Sequence, residues 1–325
     1  MRLQRLVLVS ALFLAPFARA QSTAPSTDLE TRLQAIAAAH HGKVALYAEN
    51  LKTHETASLQ PDLPVATAST IKLAILYEAL EQLRAGKVHW NDKITIQKSD
   101  LVGGSGILLM FDSPHTITFK DALTLMVVMS DNSASNFSMD HVGIQNVDAR
   151  MQKLGLKNTW LYKKVFKPVD PGMTMPADQP KFGLGKTTPH EIATLMEKIT
   201  TCQLGNDELP AQPTDIDYCK VALQMLQWQF YRNVIPRYLT TMPGFDDSTI
   251  ANKTGSLNAV RADVAAISSK NGLIIISAYT FDNDDHGWGY DVEGEGTIAK
   301  LAREIVTTWS PAGLAPWPKA PAPTP

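Results

Sequence analysis

Residues 68–72 of the chain, Ala68-Ser69-Thr70-Ile71-Lys72, are followed by an apolar run from Leu73 to Leu83. This stretch predicts a turn that presents a serine at the start of a helix. Ser69 and Lys72 are three residues apart, so they lie on the same helix face. A serine hydroxyl becomes a good nucleophile when a neighbouring base accepts its proton, and a desolvated lysine can be that base. The isolated tetrapeptide is weak support, because an N-cap serine beside an exposed lysine produces the same pattern.

Two further motifs strengthen the catalytic interpretation. Ser130-Asp131-Asn132 follows a predicted apolar helix from Phe119 to Met129, and Lys253-Thr254-Gly255 lies in a predicted strand. With Ser69-x-x-Lys72, they form the signature of the penicillin-recognising serine enzymes. The chain therefore resembles the class A β-lactamase family over about residues 25–310. The resemblance includes Thr188-Pro189-His190-Glu191-Ile192-Ala193, which is similar to the helix start after the omega loop of that family.

Composition and the N-terminal segment indicate an exported globular protein. The 325 residues are 44% hydrophobic, enough for a large core, and a net charge of −2 argues against a nucleic-acid partner. Residues 1–20 combine Arg2 and Arg5 with the apolar run 6–17 and end in Ala18-Arg19-Ala20, which predicts a cleaved signal peptide. The apolar run is too short for a lone membrane anchor. We expect a periplasmic or secreted monomer with no membrane span after cleavage.

Cys202 and Cys219 are the only cysteines in the sequence. They are close along the chain, and an exported protein meets an oxidising compartment. The two residues therefore predict a disulfide, with two separate buried thiols as the alternative.

The order of predicted elements indicates an α/β (α+β) fold with two domains. Strands at 44–49, 55–59, 249–254, 261–268 and 273–281 would form an antiparallel sheet flanked by helices, built from residues 25–65 and 206–310. A mostly helical domain, residues 66–205, would be inserted between these parts. Residues 311–325 are rich in Pro and Ala and predict a disordered tail. Ser69 and Lys253 would then meet in a cleft between the domains.

The resemblance implies a role for each residue of the first two motifs. Ser69 would attack the substrate carbonyl to form an acyl-enzyme, and Lys72 would accept its proton. Ser130 would pass a proton to the leaving nitrogen, and Asn132 would hold the amide side chain of the substrate. Asp131 is expected to be structural, as a helix cap.

The third motif is expected to bind the substrate carboxylate. Lys253 and Thr254 would form this anion pocket, and Gly255 would let the backbone approach the ligand closely. The backbone N–H of Ser256 would complete an oxyanion hole with that of Ser69. Arg261 would also hold the carboxylate, or would instead interact with Asp263 on the same strand face.

One departure from the family concerns the deacylating base. Class A enzymes use an omega-loop glutamate to activate water, but residues 161–170 here, Leu-Tyr-Lys-Lys-Val-Phe-Lys-Pro-Val-Asp, contain none. Aligning Lys167-Pro168 with the Glu-Pro of the family puts a cation at the position of the base. Asp170 is the nearest carboxylate and is a candidate base, with a structural role in the loop as the alternative.

The sequence lacks signals for other chemistry. The eight histidines are scattered and form no zinc-binding motif, so we expect no metal and no cofactor. The leading hypothesis is an exported serine hydrolase that opens β-lactam rings through a Ser69 acyl-enzyme, with deacylation as a slow step. One alternative is a D-alanyl-D-alanine peptidase or penicillin-binding protein. Another is a non-catalytic module that binds β-lactams or cell-wall fragments. In each case the partner is a small molecule.

Overall fold

The computed structural model describes residues 27–173, 175–205 and 209–317. The helices are α1 Thr27–Ala38, α2 Lys72–Arg84, α3 Phe119–Val128, α4 Asn132–Val142, α5 Ile144–Lys153, α6 Gln179–Phe182, α7 Pro189–Thr200, α8 Asp215–Gln227 and α9 Glu293–Trp309. The strands are β1 Lys43–Asn50, β2 Thr56–Leu59, β3 Val65–Ala66, β4 Lys93–Ile96, β5 His115–Thr118, β6 Trp160–Leu161, β7 Gly185–Thr187, β8 Ile250–Leu257, β9 Val260–Ser269 and β10 Gly272–Phe281. The predicted signal peptide lies outside the described residues.

The main sheet has five antiparallel strands in the order β2-β1-β10-β9-β8. The β-branched run in β10 predicts a central strand, and β10 is the middle one. Its neighbour β1 comes from the beginning of the chain and β9 from the end, with Ala45 opposite Tyr279 and Asp263 opposite Ala278. The N- and C-terminal parts of the chain therefore form one sheet, and most of the helices lie between them in sequence.

Alternate side chains of the strands supply two hydrophobic cores, one on each face of the sheet. Ile275 and Tyr279 pack with the core around α2 and α7, whereas Ile274 and Ile276 pack with α1 and α9. This alternation is the period of two that a strand with both faces covered requires. Together with the helices on both faces, it confirms the predicted α+β fold class.

Helix α2 is the central helix of the core that contains the site. Its residues from Lys72 to Leu83 are all buried, as expected for a helix surrounded by packing partners. The buried carboxylates on it are paired, Glu78 with Arg150 at 2.8 Å and Glu81 with Arg84 at 3.4 Å. Because α2 is held on all sides, the turn that precedes it has a fixed position.

Cys202 and Cys219 form the predicted disulfide, which is therefore confirmed. It joins the segment just after α7 to α8. At α7, Thr188 caps the helix by accepting a hydrogen bond from the Glu191 backbone N–H, and the helix start indicated by the sequence is present.

The predicted disordered tail is wrong for residues 311–317, which lie against the sheet. Leu314 is fully buried in the core beside α9, and it forms a bridge with Ser269. A large apolar side chain that fills a core position orders the backbone around it. Residues 318–325 lie outside the described part. The predicted domain boundaries stay a prediction, and the one near residue 205 adjoins residues 206–208, which are also outside it.

Among the described residues, none of the helices combines the length and apolar character that crossing a membrane requires.

Candidate active site

Ser69 lies in a 3-10 turn, Ala68–Ile71, directly before α2. The turn is tied to its surroundings through Thr70, whose hydroxyl donates to the Thr67 carbonyl at 2.8 Å and lies 2.7 Å from the Tyr279 hydroxyl on β10. Ala68 has φ +46°, a left-handed conformation that costs a non-glycine residue free energy and that concentrates at functional sites. Ser69 itself is half-buried and lines a cleft.

Gly255 on β8 packs directly against this turn. A Cβ atom at position 255 would lie 2.9 Å from the Thr67 carbonyl oxygen, 3.0 Å from the Ser69 nitrogen and 3.1 Å from the Thr70 nitrogen. Only glycine allows strand and turn to approach so closely. The sequence predicts a close approach to the ligand at this position, and the structure assigns it to the Ser69 turn. The contact places β8 beside the serine.

Ser130 brings the two motif lysines together. Its hydroxyl lies 3.1 Å from the Lys72 Nζ and 3.1 Å from the Lys253 Nζ. Lys72 also donates to the Ser130 carbonyl at 2.7 Å and to the Asn132 Oδ1 at 3.3 Å. Like Ala68, Ser130 is a non-glycine residue in the left-handed region, with φ +53°. The three motifs, far apart in sequence, therefore meet at one hydroxyl.

Burial changes the proton affinity of both lysines. The side chains of Lys72 and Lys253 are almost completely buried. Desolvation, together with the nearby Lys253 ammonium, holds the pKa of Lys72 well below the ordinary lysine value. Desolvation also lowers the pKa of Lys253 to about 7, opposed by the charge of Asp263. A lysine in such a setting can act as a base near neutral pH.

A cleft of about 1040 Å³ opens above this network. Of the predicted site residues, Ser69, Ser130, Asn132, Thr254, Gly255 and Ser256 line it. Lys72 and Lys253 reach it through Ser130. The serine turn, two buried lysines and a shared hydroxyl at the base of an open cleft are suited to acyl transfer to Ser69.

A family model described as the beta-lactamase enzyme family matches residues 28–309. The chain belongs to the beta-lactamase enzyme family. No functionally curated protein matches the sequence significantly.

Several solved structures have the same fold. A beta-lactamase from Sphaerobacter thermophilus is 24% identical with a TM-score of 0.71, and the match covers 88% of this chain and 98% of that one. PBP-A is 22% identical with a TM-score of 0.69, covering 87% and 96%. A class A beta-lactamase from Mycobacterium abscessus is 17% identical with a TM-score of 0.68, covering 86% and 98%. At these identities the likeness establishes the fold of this beta-lactamase family member.

Asp131 has the structural role that the sequence predicts. Its Oδ1 caps α4 by accepting from the Ala134 backbone N–H at 2.9 Å. Its Oδ2 accepts from the backbone N–H groups of Ile107 and Leu108 at 2.7 and 2.9 Å. The glycine-rich segment around residue 104 is thereby held at the rim of the cleft, where Gly104 and Ser105 line the wall.

The structure does not bring Arg261 into the cleft lining. Its side chain is 1% exposed, and its guanidinium donates to the carbonyl oxygens of Leu257, Val260 and Gly287. It also lies 3.7 Å from Glu295 and packs on the ring of Trp288. These hydrogen bonds occupy three of the five N–H donors of the guanidinium, and the buried side chain does not line the cleft, so its placement gives no support to the expected contact with the substrate carboxylate.

The described residues also contain no hydrogen bond or ion pair between Arg261 and Asp263, the alternative interaction. The Asp263 carboxylate accepts from the Asn252 amide at 3.0 Å and from the Ile235 backbone N–H at 2.9 Å. Burial raises its pKa to about 7. Except for the nearby Leu257 and Val260 carbonyls, the partners of both side chains come from outside β9, which spacing along that strand does not reveal.

Asp170 is not among the residues that line the cleft. Its carboxylate lies 3.9 Å from the Lys164 Nζ, and its side chain is 44% exposed. This placement favours the structural alternative over the predicted general base, because a base has to reach the attacking water. Lys167 is exposed and also outside the lining, so aligning it with the glutamate of the family does not identify the residue that faces Ser69.

One face of α4 positions the omega-loop wall of the cleft, defined as the lining residues 163–166. Asn132, Asn136 and Asp140 are four residues apart and share that face. The Asn136 amide group accepts from the Val165 N–H at 2.8 Å and donates to the Val165 carbonyl at 3.1 Å, and Asp140 pairs with Lys164 at 2.5 Å. Asn136 and Asp140 are absent from the predicted site, although their spacing from Asn132 was a usable signal.

The opposite bank of the cleft is formed by residues that belong to no motif and were therefore not predicted. Tyr231, Asn233, Leu257, Trp288 and Glu295 all line the cleft on the side of β8 and β9. Trp288 is 67% exposed, although it packs over Arg261.

Proposed function

We propose that this protein is a serine hydrolase that opens β-lactam rings through a Ser69 acyl-enzyme and deacylates slowly. The observation that carries the proposal is the position of the Ser130 hydroxyl, 3.1 Å from each of Lys72 and Lys253, at the base of the cleft that Ser69 lines. This arrangement can move a proton between a nucleophile and a leaving nitrogen.

In the proposed acylation, Ser69 Oγ bonds to the lactam carbonyl carbon and the ring C–N bond breaks. Lys72, whose lowered pKa favours the neutral form, accepts the Ser69 proton. Ser130 donates its proton to the leaving nitrogen and is reprotonated from Lys72. Within the described residues the Ser69 hydroxyl has no hydrogen bond, so its contact with Lys72 has to form when substrate binds. The backbone N–H groups of Ser69 and Ser256 would hold the developing oxyanion.

The substrate carboxylate would meet hydroxyls rather than a guanidinium. Thr254 and Ser256 line the cleft, and neither hydroxyl has a hydrogen-bond partner among the described residues. Lys253 is next to Thr254 on β8, and its buried ammonium adds positive charge to this pocket. A carboxylate can accept hydrogen bonds from both hydroxyls. We therefore keep the proposed anion pocket at Lys253, Thr254 and Ser256 and leave Arg261 out of it.

Slow deacylation is supported by the chemistry of the cleft walls. The omega-loop wall consists of Lys163, Lys164, Val165 and Phe166, and Gly183 and Leu184 also line the cleft; none of these residues is an acid. The only carboxylate among the described lining residues is that of Glu295, on the opposite bank beside Arg261. A general base contributes about 10²–10⁴ to a hydrolytic step, and an acyl-enzyme without one persists longer.

The lack of an acid among the described omega-loop residues that line the cleft also favours a second candidate. This is a D-alanyl-D-alanine peptidase or penicillin-binding protein that stays acylated. PBP-A has the same fold, and a variant of it has been solved as an acyl-enzyme complex with penicillin G. The two candidates share the acylation step and differ in whether water then releases the acyl group from Ser69.

Intact-protein mass spectrometry distinguishes them. Mature protein is mixed with benzylpenicillin and sampled from seconds to hours, with Ser69→Ala as the control. We expect a Ser69-dependent adduct that clears slowly while hydrolysed drug accumulates. An adduct that persists without hydrolysis would support the second candidate. If wild type and Ser69→Ala behave alike, the proposed function is wrong.

We further propose that the protein is exported and monomeric in the periplasm or outside the cell. Support comes from the sequence pattern of residues 1–20 and from the disulfide, which suits an oxidising compartment. Mass analysis of protein recovered from culture fractions tests this. Mature protein that begins at Gln21 outside the cytoplasm is expected, and full-length protein in the cytoplasm would contradict it.

A further inference from the structure

We propose that Lys163 forms a subsite for a carboxylate on the acyl side of the substrate, beyond the amide that Asn132 is proposed to hold. The inference deepens the proposed function and rests on it. It names an acidic acyl group as the preferred substrate class, whether that group belongs to a β-lactam side chain or to a cell-wall peptide.

The first observation is that Lys163 is an uncompensated charge in the cleft. It lines the cleft and is half-buried. Its ammonium has no hydrogen bond or ion pair with any residue in ranges 27–173, 175–205 and 209–317. Its neighbour Lys164 pairs with Asp140 at 2.5 Å and lies 3.9 Å from Asp170. Glu295, the acid of the opposite bank, is beside Arg261. Lys163 therefore remains free to bind an anion.

The second observation is the location of the omega-loop wall, to which Lys163 belongs, relative to Asn132. A Cβ atom at Gly104 would lie 2.7 Å from the Asn132 amide nitrogen and 3.2 Å from the Phe166 ring. The glycine-rich segment around residue 104, Asn132 and the omega-loop wall therefore meet at this point. Val165 is fixed to α4 by Asn136, one turn after Asn132. A substituent that extends past Asn132 toward the omega loop therefore reaches the wall that begins with Lys163.

The third observation is the chemistry of that wall. Phe166 is 72% exposed and offers an apolar surface next to the cationic residue. A lysine ammonium supplies three donors that a carboxylate accepts, and a half-buried pair is screened less by salt than a surface pair. The wall therefore suits an acyl group with both an apolar part and a carboxylate.

The test compares acylation rates for two penicillins that differ by one carboxylate, benzylpenicillin and α-carboxybenzylpenicillin. Wild type is expected to favour the carboxylated compound, and Lys163→Gln is expected to lose that preference by about fivefold. Lys163→Glu should reverse it. The matched control is Lys167→Gln, which removes the same charge from the same loop at an exposed position outside the cleft lining. It should leave the preference unchanged.

A second arm identifies the source of the carboxylate. It uses acyl-D-alanyl-D-alanine peptides whose acyl part carries either glutamate or glutamine. A Lys163-dependent preference for the glutamate peptide would assign the subsite to a cell-wall peptide, and one confined to the penicillins would assign it to β-lactam side chains.

The outcomes separate this inference from the proposed function. Equal preference in wild type and Lys163→Gln, or equal losses in the Lys163 and Lys167 variants, would overturn the subsite while leaving acylation intact. The benzylpenicillin rate checks that each variant is folded. Absence of acylation in wild type would instead overturn the proposed function and the subsite with it.

Discussion

The Nζ atom of Lys253 lies 3.1 Å from the hydroxyl oxygen of Ser130. One residue belongs to a strand of the sheet and the other follows a helix, so this contact joins the two banks of the cleft. Lys72 reaches the same hydroxyl at the same distance. The arrangement puts two buried amino groups against one oxygen, and the charge of Lys253 disfavours the protonated form of Lys72.

The first prediction concerns the pH dependence of acylation. Because Lys72 has a pKa well below the ordinary 10.5, its neutral form is present at lower pH than that of an exposed lysine. Acylation should rise with pH through this lowered pKa and level off well below 10.5. In Lys253→Met the neighbouring charge is gone, so the pKa of Lys72 rises and the rising limb should move to higher pH. The rate constant of adduct formation across pH measures it.

Lys72→Arg provides the control for this pH profile. Arginine stays protonated, so acylation should fall by about 10²–10⁴ and the rising limb should disappear. An unshifted limb in Lys253→Met would show that the two lysines are not coupled.

The second prediction concerns Gly255→Ala. The new Cβ would lie 2.9–3.1 Å from backbone atoms of Thr67, Ser69 and Thr70, so the turn or the strand has to move. A shift of about 1 Å at a reacting group costs on the order of a hundredfold in rate. Acylation should slow by about that factor while thermal unfolding still shows a folded protein.

Gly296→Ala in α9 is the matched control, because a Cβ atom there meets nothing within 4 Å. It should acylate normally and unfold at the same or a slightly higher temperature, since alanine favours a helix. Normal acylation in Gly255→Ala would mean that the close approach of strand and turn does not position Ser69.

The third prediction concerns Val165→Glu. Val165 lines the cleft, and Asn136 holds its backbone through two hydrogen bonds. A carboxylate at this position would therefore face the cleft from a fixed position of the backbone. It should shorten the lifetime of the penicillin adduct by on the order of a hundredfold. Val165 is 9% exposed, so a loss of stability is also expected.

Two variants are controls for the shorter adduct lifetime expected in Val165→Glu. Val165→Gln introduces a side chain of nearly the same shape as glutamate, but its amide cannot act as a base. This variant should not shorten the adduct lifetime. Asp170→Asn should change the lifetime little, because Asp170 lies outside the cleft lining. A large slowing of deacylation in Asp170→Asn would restore Asp170 as the deacylating base.

The fourth prediction concerns stability and Asp148, whose carboxylate accepts from the Leu161 backbone N–H at 2.7 Å. Burial raises its pKa from 3.8 to about 7, so the folded state binds its proton more tightly than the unfolded state. Its contribution to the free energy of unfolding is therefore complete below pH 3.8 and is lost as the pH rises through about 7. The slope is at most about 1.4 kcal/mol per pH unit.

Asp148→Asn keeps an acceptor for the Leu161 N–H but does not titrate. The free energy of unfolding, measured in urea between pH 4 and 7, should fall less steeply in this variant than in wild type. Parallel slopes would show that Asp148 has an ordinary pKa.

The sequence by itself determined the features that depend on near neighbours. Ser69 and Lys72 share a helix face because they are three residues apart, and the unbroken apolar run at the start of β10 indicates a strand covered on both faces. The disulfide pair also followed from proximity along the chain. The other predicted site residues came from motifs that resemble those of a known family.

Only the tertiary structure decided which distant groups touch. The sequence did not indicate that Gly255 packs on the Ser69 turn, that the Gly287 carbonyl accepts from Arg261, or that α4 fixes Val165. Nor did it indicate that a Pro- and Ala-rich tail would bury Leu314. Such contacts join residues that local periodicity cannot relate, because their distance depends on how the sheet and helices pack as a whole.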